Sequence, residues 1–404
     1  MNGLFDQQQQ QQQKNRTELK RKADEPLQQK RCKMERRNSL HQRRDSVPTG
    51  VPVLTNNVDL DYFRGYSTIH VHEEMLGDMI RTNAYKYALL KNYPDLHKKT
   101  VMDVGAGTGI LSVFAVQAGA KKVYAIEACE MAEQAKQVVK ENDMSDRIHV
   151  IQKLAEEVVL PQKVDALISE WMGYCLLYES MLPSVLRARD KFLRPGGLMF
   201  PCKATLYLAP MYDGEYISRL EFWKDMKETY KVNMDSMMPA AHACLSADAD
   251  IRIVPPEAVQ AHAVEVCSLD LMTASPNDVE DVESNFCFKC FGRTTITGFV
   301  TWFTVEFPGG STLSTSPYQP ETHWAQTTFH LRRSFRVEQD TEIKGVFEMH
   351  PHPLNHRCME IDLEFIVDDK EKHEQCFSLH NTCPGRQLQE ECSLIPSPGS
   401  PMQS

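Results

Sequence analysis

The sequence predicts an α/β domain on a doubly wound parallel sheet, followed by an antiparallel β domain. Three observations support this: strands alternate with helices from about residue 60 to 205, short β segments dominate residues 241 to about 380, and both ends of the chain are polar and biased in composition. The 404 residues are enough for two or three domains, and an apolar fraction of 42% is ordinary for a soluble globular protein.

The first 55 residues read as a disordered tail. Seven consecutive glutamines, Gln7 to Gln13, precede two basic clusters, KNRTELKRK and QQKRCKMERR, with scarcely an aromatic side chain. Two basic clusters on a short spacer favour a bipartite nuclear import signal over a merely solvated tail. Ser39 and Ser46 follow paired arginines, as kinase sites often do. With no apolar run of about 18 residues and no secretory signal, we expect a nuclear, or nuclear and cytoplasmic, protein without a membrane partner.

Charge is divided along the chain. Residues 1–50 hold 12 Lys and Arg against 6 Asp and Glu, a net charge of +6, so the remaining 354 residues carry −16. An acidic body argues against nucleic acid as its main ligand, because neutralising phosphates requires a cationic face. It suits a basic substrate, although solubility alone is an equally good reason for the charge.

The first domain shows the alternation most clearly. VHEEMLGDMIRTNAYKYALLKN (71–92) reads as one amphipathic helix, with Pro94 just beyond its end. KTVMDV, VYAIE, IHVIQ, VDALI and GGLMF then read as strands separated by helices such as SMLPSVLRARDKFL. Strands that alternate with helices imply a parallel sheet.

After Pro210 the pattern changes. Residues 211–240 read as helical, and residues 241–380 contain short β segments such as GFVTWFTVEF and EIDLEFIV. The last residues, ending IPSPGSPMQS, read as a second disordered tail. We therefore divide the chain into residues 1–55, 56–205, 206–380 and 381–404.

A glycine turn marks a ligand site in the first domain. Gly105, Gly107 and Gly109 follow a strand and open a helix, where backbone can approach a ligand closely. The spacing is G-x-G-x-G and not the G-x-G-x-x-G of dinucleotide sites. Glu127, at the end of the next strand, is placed to hold two ribose hydroxyls. Together with the acidic body, this favours S-adenosyl-L-methionine, a cationic sulfonium, over NAD or an ordinary tight turn.

SEWMGYCLLYE (169–179) places two carboxylates, Glu170 and Glu179, among apolar and aromatic residues. Carboxylates are rare in such surroundings unless a partner neutralises them. The segment therefore predicts a site for a cation, with structural salt bridges inside the chain as the alternative.

DVGAGTGIL, SEWMGY, YESML and the later THW, in this order, resemble the type I protein arginine methyltransferases over residues 60 to 380. The resemblance implies a Rossmann-like methyltransferase domain, an antiparallel β-barrel, and a helical arm, matched by residues 211–240, that makes a homodimer. It implies methyl transfer to guanidino nitrogens of arginine in basic proteins, namely histone tails and Arg/Gly-rich segments, giving monomethyl and asymmetric dimethylarginine in chromatin and transcription regulation. A catalytically idle scaffold that binds arginine-rich proteins is the alternative.

The resemblance assigns roles in the cofactor site. Arg81 matches the arginine that holds the cofactor carboxylate, with His72 before it in the same helix; without the resemblance, a solvated surface charge would explain Arg81 equally well. Tyr62, Phe63 and Tyr66 match an aromatic lid that folds over the cofactor; in the alternative, Tyr62 and Phe63 are core aromatics. The expected cofactor residues are Tyr62, Phe63, Tyr66, His72, Met75, Arg81, Gly105, Gly107, Glu127 and Glu156.

On the substrate side, the resemblance makes Glu170 and Glu179 catalytic. A guanidinium is a poor nucleophile, and two carboxylates draw its positive charge toward the nitrogens they bind, which leaves another nitrogen richer in electrons. His323 and Asp78 match a pair that either relays the released proton or holds the N-terminal helix against the second domain. The expected substrate pocket comprises Met172, Met181 and Trp324.

We expect no metal. HPHPLNH, with His350, His352 and His356, reads as a surface loop, and the C-x-x-C from Cys287 to Cys290 has no second pair. A small-molecule or nucleic-acid methyltransferase would need a base-stacking motif or a basic groove, and the sequence shows neither.

Overall fold

The structure, a computed structural model, describes residues 57–380. Both predicted tails, residues 1–55 and 381–404, lie wholly outside these residues, and with them the Gln run, the basic clusters, Ser39 and Ser46. Within the described part, a five-stranded parallel sheet is followed by two antiparallel sheets. The predicted fold class is therefore confirmed.

Within the described residues, four helices precede the parallel sheet. They are α1 (Asn57–Tyr66), α2 (Ile69–Gly77), α3 (Met79–Lys91) and α4 (Tyr93–Leu96). The single helix predicted over residues 71–92 is wrong, because the chain breaks at Asp78, whose ψ of 90° is not helical. The Asp78 carboxylate caps α3 by accepting the N–H of Arg81 at 2.9 Å, a bond that a continuous helix would not allow. His72 therefore lies in α2 and Arg81 in α3, not in one helix.

The parallel sheet has the strand order β3-β2-β1-β4-β5. Its strands are β1 (Thr100–Val104), β2 (Lys122–Glu127), β3 (Ile148–Gln152), β4 (Val164–Ile168) and β5 (Leu193–Phe200), with helices α5 (Ile110–Gln117), α6 (Met131–Glu141) and α7 (Leu182–Phe192) between them. Every residue of β1 is buried, as expected for a central strand. The strand order reverses between β1 and β4, and ligands of such sheets bind at the carboxyl ends of the strands at this point.

Two antiparallel sheets form the second half of the described chain. One has the order β7-β12-β10-β6-β8, with β11 paired to β10, and the other has the order β15-β14-β13-β9. The strands are β6 (Lys203–Met211), β7 (Asp250–Arg252), β8 (Val264–Asp270), β9 (Val282–Lys289), β10 (Thr294–Glu306), β11 (Thr312–Ser314), β12 (Gln326–Val337), β13 (Glu342–His352), β14 (Asn355–Val367) and β15 (Glu371–Leu379). Buried phenylalanines join the sheets: the rings of Phe299 and Phe365, and those of Phe329 and Phe377, lie 5.2 Å apart.

A helical insertion, α8 (Gly214–Tyr230) and α9 (Met238–Leu245), lies between β6 and β7. Asp213 caps α8, and its Oδ2 also accepts from Arg252 and from His330, both at 2.8 Å. Such a cap typically stabilises a helix by about 1 kcal/mol, so the base of the insertion is fixed to β7 and β12. Phe222 and Tyr230 of α8 are 50% and 70% exposed.

The three histidines of HPHPLNH lie on a β-hairpin and not in a loop. His350 and His352 belong to β13 and His356 to β14. The pairing of β13 with β14 continues through Pro351, and its register shifts between Pro351 and His352, next to the turn. Among residues 57–380, no group of His, Cys, Asp and Glu side chains has the arrangement of a metal site.

None of the helices in residues 57–380 is long and apolar enough to cross a membrane.

Candidate active site

A cavity lies at the carboxyl ends of β1, β2 and β4 and is bounded by α1, α2 and residues of the antiparallel domain. Its empty volume, with the open solvent at its mouth, is about 1450 Å³, which leaves room for a cofactor and a substrate side chain together. Sixteen of the 17 predicted site residues line it; Asp78, the exception, hydrogen-bonds to one of them. The predicted residues in its wall are Tyr62, Phe63, Tyr66, His72, Met75, Arg81, Gly105, Gly107, Glu127, Glu156, Glu170, Met172, Glu179, Met181, His323 and Trp324.

The glycine turn after β1 needs its glycines. Gly105 and Gly107 have φ of +74° and +53°, and a Cβ on Gly105 would lie 2.4 Å from Cε of Met181. The N–H of Gly107 donates to Oε2 of Glu127 at 2.7 Å, and the N–H of Cys129 donates to Oε1 at 2.9 Å. Each carboxylate oxygen of Glu127 keeps a lone pair, so the pair of oxygens fits two ribose hydroxyls.

Glu156 lies beyond β3, in a 3₁₀ turn over Ala155–Glu157. Its Oε1 accepts the hydroxyl of Ser184 at 2.6 Å, and Nη1 of Arg187 lies 3.9 Å away. These contacts fix the carboxylate while the second oxygen can accept from a ligand. An adenine amino group would fit that acceptor.

Arg81 and Glu170 form a buried ion pair in the cavity wall. Nε and Nη2 of Arg81 donate to Oε2 of Glu170 at 2.9 and 2.8 Å, and the two side chains are 8% and 7% exposed. Removing one partner of such a pair typically costs about 3–5 kcal/mol, because a buried charge is left uncompensated. Glu170 therefore fits both alternatives that the sequence left open: it forms a salt bridge within the chain, and it also faces the cavity, where a cation could bind.

The remaining hydrogen-bonding capacity of this pair points to ligands. Nη1 of Arg81 donates to the main-chain oxygen of Met75 at 3.0 Å, so two of the five guanidinium N–H groups are left for a ligand carboxylate. Oε1 of Glu170 accepts the N–H of Met172 at 3.2 Å and keeps a lone pair for a substrate N–H.

The loop between β4 and α7, which carries both glutamates, has an unusual backbone. Left-handed φ angles of +49° to +73° occur at four residues that are not glycine: Cys175, Leu176, Glu179 and Ser180. Each costs on the order of 1–3 kcal/mol and persists only where the surroundings fix it. Gly173 is part of the same turn, since a Cβ there would lie 2.1 Å from the main-chain oxygen of Tyr178.

Contacts from β14 hold this loop in place. The N–H of Glu179 donates to the main-chain oxygen of Arg357 at 2.8 Å, and Nη1 of Arg357 donates back to the main-chain oxygen of Glu179 at 2.7 Å. The hydroxyl of Ser180 donates to the main-chain oxygen of His356 at 2.6 Å. The antiparallel domain therefore determines where the Glu179 side chain lies.

The predicted aromatic lid contacts Glu179 directly. The hydroxyl of Tyr66 donates to Oε2 of Glu179 at 2.7 Å, and the Tyr62 ring lies 4.9 Å from that of Tyr66. Burial raises the pKa of Glu179 to about 7; the bond from Tyr66 opposes this increase, and the charge of Glu170 adds to it. A cation bound beside Glu179 would favour its ionised form.

His323 and Asp78 connect the loop before β12 to the start of α3. The N–H and Nδ1 of His323 lie 3.0 and 2.7 Å from Oδ2 of Asp78. Burial alone would raise the pKa of Asp78, but the bonds from His323 and from the N–H of Arg81 outweigh it and hold that pKa below its usual value. An ionised Asp78 keeps the hydrogen of His323 on Nδ1, so Nε2 is free to accept a proton.

The predicted substrate pocket residues lie on the other side of the same cavity. Nε1 of Trp324 donates to the main-chain oxygen of Met172 at 2.8 Å, and both residues are buried. The Met181 side chain lies against Gly105, where the glycine turn and the glutamate loop meet. Met181 therefore lies beside the glycine turn, and Trp324 beside the segment that carries Glu170.

Sequence reasoning missed several residues of this site. Arg357, Ser184, Glu74 and Tyr174 also line the cavity, and Asp59 binds the Arg357 side chain. Glu74 could have been predicted from its position, because it lies two residues after His72 and directly before Met75 in the HEEM segment. Arg357 and Asp59 had none, because the two are 298 residues apart.

Two parts of the chain match described protein families. Residues 202–370 match the arginine methyltransferase oligomerization subdomain, and residues 84–190 match the ribosomal protein L11 methyltransferase (PrmA) family. The first covers the antiparallel domain up to β14 with its helical insertion, and the second covers most of the parallel sheet. The methyltransferase match therefore lies in the parallel-sheet domain, and the oligomerization match lies in the antiparallel domain.

Relatives with one shared name match most of the chain. The chain is 49% identical to protein arginine N-methyltransferase 6 of Xenopus tropicalis over 76% of its length and 92% of the relative, and 44% identical to that of Danio rerio over 80% and 93%. It superposes on a chain of the Trypanosoma brucei PRMT1 enzyme-prozyme heterotetrameric complex with AdoHcy with a TM-score of 0.72, at 33% identity, covering 78% of this chain and 100% of that one.

S-adenosylmethionine is the cofactor, and the Glu127, Glu156 and Arg81 contacts described above fit its ribose, adenine and carboxylate. With relatives of this identity and coverage, the chain belongs to the protein arginine N-methyltransferase family, is most like protein arginine N-methyltransferase 6, and is an arginine methyltransferase.

Proposed function

We propose that the protein methylates arginine side chains of histones and other basic proteins, giving monomethyl and asymmetric dimethylarginine as a type I enzyme. The observation that carries this proposal is the pair of carboxylates, Glu170 and Glu179, which face one cavity with Arg81, Glu127 and Glu156. An acidic body supports a basic protein as substrate.

The cofactor would lie along the carboxyl ends of β1 and β2. Glu127 would hold its ribose, Glu156 its adenine, and the two spare N–H groups of Arg81 its carboxylate. When bound, S-adenosylmethionine supplies an electrophilic methyl group on a positively charged sulfur.

The two glutamates orient and polarise the substrate guanidinium. Oε1 of Glu170 and the carboxylate of Glu179 accept its N–H groups, which concentrates positive charge on the bound nitrogens. The remaining nitrogen becomes the better nucleophile and is held in a fixed direction, an effect that contributes up to roughly 7–11 kcal/mol in well-oriented reactions. Their negative charge also offsets the repulsion between two cations in one cavity.

The nitrogen that gains a methyl group must lose a proton. Nε2 of His323 is the acceptor that the structure offers, because Asp78 keeps the other ring nitrogen protonated. The same pair also fixes the start of α3 against the antiparallel domain. Both of the predicted roles are therefore compatible with the geometry.

The product, assembly and location are further parts of the proposal. Met75 and Met181 lie in the cavity wall and match the methionines of type I enzymes that shape the methyl-accepting corner, which supports an asymmetric product. Exposed Phe222 and Tyr230 on α8 support a homodimer formed through the helical arm. The two basic clusters in residues 1–55 support a nuclear protein that acts in chromatin and transcription.

Incubation of the full chain with methyl-labelled S-adenosylmethionine and either a Gly-Arg-rich peptide or a histone H3 peptide tests the proposal. Mass spectrometry of the peptide should show mono- and then dimethylarginine, with the fragment pattern of the asymmetric form. A symmetric product would overturn the type I assignment. Peptide binding without methyl transfer would instead support the scaffold alternative.

A further inference from the structure

Arg357, near the start of β14, contacts both α1 and the loop that carries Glu179. Its Nε and Nη2 donate to Oδ1 of Asp59 at 2.8 and 2.6 Å, and its guanidinium carbon lies 3.8 Å from the ring centre of Tyr62. Its Nη1 donates to the main-chain oxygen of Glu179 at 2.7 Å, and its own main-chain oxygen accepts the N–H of Glu179 at 2.8 Å. One residue therefore binds both main-chain polar groups of Glu179.

We propose that Arg357 is a positioning residue that fixes the backbone of Glu179 and holds α1 across the cavity. Arg357 directs the Glu179 carboxylate toward the substrate and does not itself hydrogen-bond to that carboxylate. This inference rests on the arginine methylation proposed above.

The backbone of Glu179 needs such support. Glu179 and Ser180 have φ of +73° and +51°, a region that residues with a Cβ rarely adopt. The main-chain bond between Glu179 and Arg357 would survive a change of the Arg357 side chain, as would the bond from Ser180 to His356. Loss of the side chain should therefore loosen the loop without unfolding it.

The position requires an arginine and not merely a positive charge. A guanidinium has N–H donors in a fixed fork, whereas an ammonium is a compact point charge. The fork of Arg357 reaches Asp59 with two nitrogens and the Glu179 main chain with the third. All three nitrogens are then engaged, and Asp59 neutralises the charge, so the Glu179 carboxylate stays available to a substrate cation.

The same contacts couple the acid to the lid. Tyr66 of α1 donates to the Glu179 carboxylate, while Asp59 and Tyr62 of α1 contact the Arg357 side chain. α1 and Arg357 thus fix Glu179 at its side chain and at its main chain. Any change that frees Arg357 should loosen both segments together.

Variants at this position test the proposal. Arg357→Met removes both the fork and the charge, and Arg357→Lys keeps the charge alone. Arg333→Met is the matched control, because Arg333 pairs with Glu371 on the exposed surface of the antiparallel domain, where the two side chains are 75% and 55% exposed. We measure kcat and KM for a Gly-Arg-rich peptide, the pH dependence of kcat/KM, S-adenosylhomocysteine binding, and hydrogen–deuterium exchange of residues 58–66 and 174–181.

Both Arg357 variants should lower kcat on the order of 10²-fold, the scale of a misplaced reacting group, with Arg333→Met unchanged. The pH at which kcat/KM is half its maximum should rise for Arg357→Met and remain unchanged for Arg357→Lys, because only the methionine variant loses a positive charge beside Glu179. The other groups that face Glu179, namely Tyr62, Tyr66, Glu170 and Tyr174, are the same in every variant.

Hydrogen–deuterium exchange separates this inference from the proposed function. Residues 58–66 and 174–181 should exchange faster in both Arg357 variants and not in Arg333→Met, whether or not the wild type methylates the chosen peptide. If Arg357→Met fails to fold, Arg357→Lys decides alone. Wild-type kcat, or wild-type exchange in both segments, in the folded lysine variant would overturn the positioning role.

Discussion

Tyr66 donates its phenol hydrogen to Oε2 of Glu179 at 2.7 Å, so a residue of α1, the first described helix, contacts a predicted catalytic carboxylate 113 residues further along the chain. The bond stabilises the ionised carboxylate, and burial acts against it. The protonation of Glu179 near neutral pH therefore depends on how α1 lies over the cavity.

Activity should increase with pH through neutrality. Glu179 binds a guanidinium only when ionised, and burial raises its pKa to about 7, so kcat/KM should reach half its maximum near pH 7. Tyr66→Phe removes a bond that lowers this pKa and should move the midpoint to higher pH. Initial rates at subsaturating peptide from pH 5.5 to 9 measure both; a flat profile in this range would show that Glu179 does not titrate there.

The stability of the folded chain should decrease as the pH rises, whereas activity increases. The folded pKa of Glu179, about 7, lies above the ordinary value of 4.5, so the folded chain binds more protons between these values. Its contribution to stability is fully present below about pH 4.5 and is lost as the pH rises through 7, at up to about 1.4 kcal/mol per pH unit. Glu179→Gln removes this dependence and should gain stability relative to wild type between pH 5 and 8.

Urea unfolding of the two proteins at pH 5 and pH 8 measures that gain. Burial also raises the pKa of Asp103, to about 7, and that of Asp362; both residues are present in both proteins, so their effects cancel in the difference. A difference between the two proteins that does not change with pH would mean that Glu179 keeps an ordinary pKa in the folded chain.

Asp78→Asn separates the two roles of the His323 pair. If the asparagine amide turns its NH₂ group toward Nδ1, the ring hydrogen moves to Nε2, which then cannot accept a proton; in either orientation the negative charge that would stabilise a protonated His323 is lost. If His323 receives the product proton, kcat should fall on the order of 10²–10⁴-fold. Single-turnover rates, with the folded fraction measured by urea unfolding, test this; reduced stability with unchanged kcat would leave only the structural role.

Gly173→Ala should damage the glutamate loop. The added Cβ would lie 2.1 Å from the main-chain oxygen of Tyr178, so the turn must shift and move Glu170 and Glu179 apart. We expect a loss of roughly 1–3 kcal/mol, as for other overpacked sites, and strongly reduced methyl transfer. Gly292→Ala, where the Cβ meets no atom within 4 Å, is the control. Equal melting temperatures and rates for the two variants would argue against a tight turn.

Local sequence patterns predicted a large part of this molecule. The spacing from Gly105 to Glu127 reflects one strand–turn–helix–strand unit, whose ends are adjacent in any parallel sheet, so the cofactor side followed from a short stretch. The two glutamates of the 169–179 segment were found because carboxylates among apolar residues need a partner.

Contacts between distant segments were not predictable in this way. Nothing near Arg357 in the sequence shows that it binds Asp59 and Glu179, because that contact arises only when β14 packs beside α1. The break at Asp78 was missed for a related reason. Helical periodicity continues across it, and the cap is favoured because the same carboxylate also binds His323, 245 residues away.

The central claim is that Glu170 and Glu179 together hold a substrate guanidinium for methyl transfer, and Glu179→Gln tests it most directly, since Glu170 also supports Arg81. We measure single-turnover methylation of a Gly-Arg-rich peptide together with S-adenosylhomocysteine affinity by calorimetry. The account predicts a rate lower by about 10²-fold or more, the effect of losing one preorganised electrostatic group, with affinity within a few-fold of wild type. A near-normal rate in this variant would contradict it.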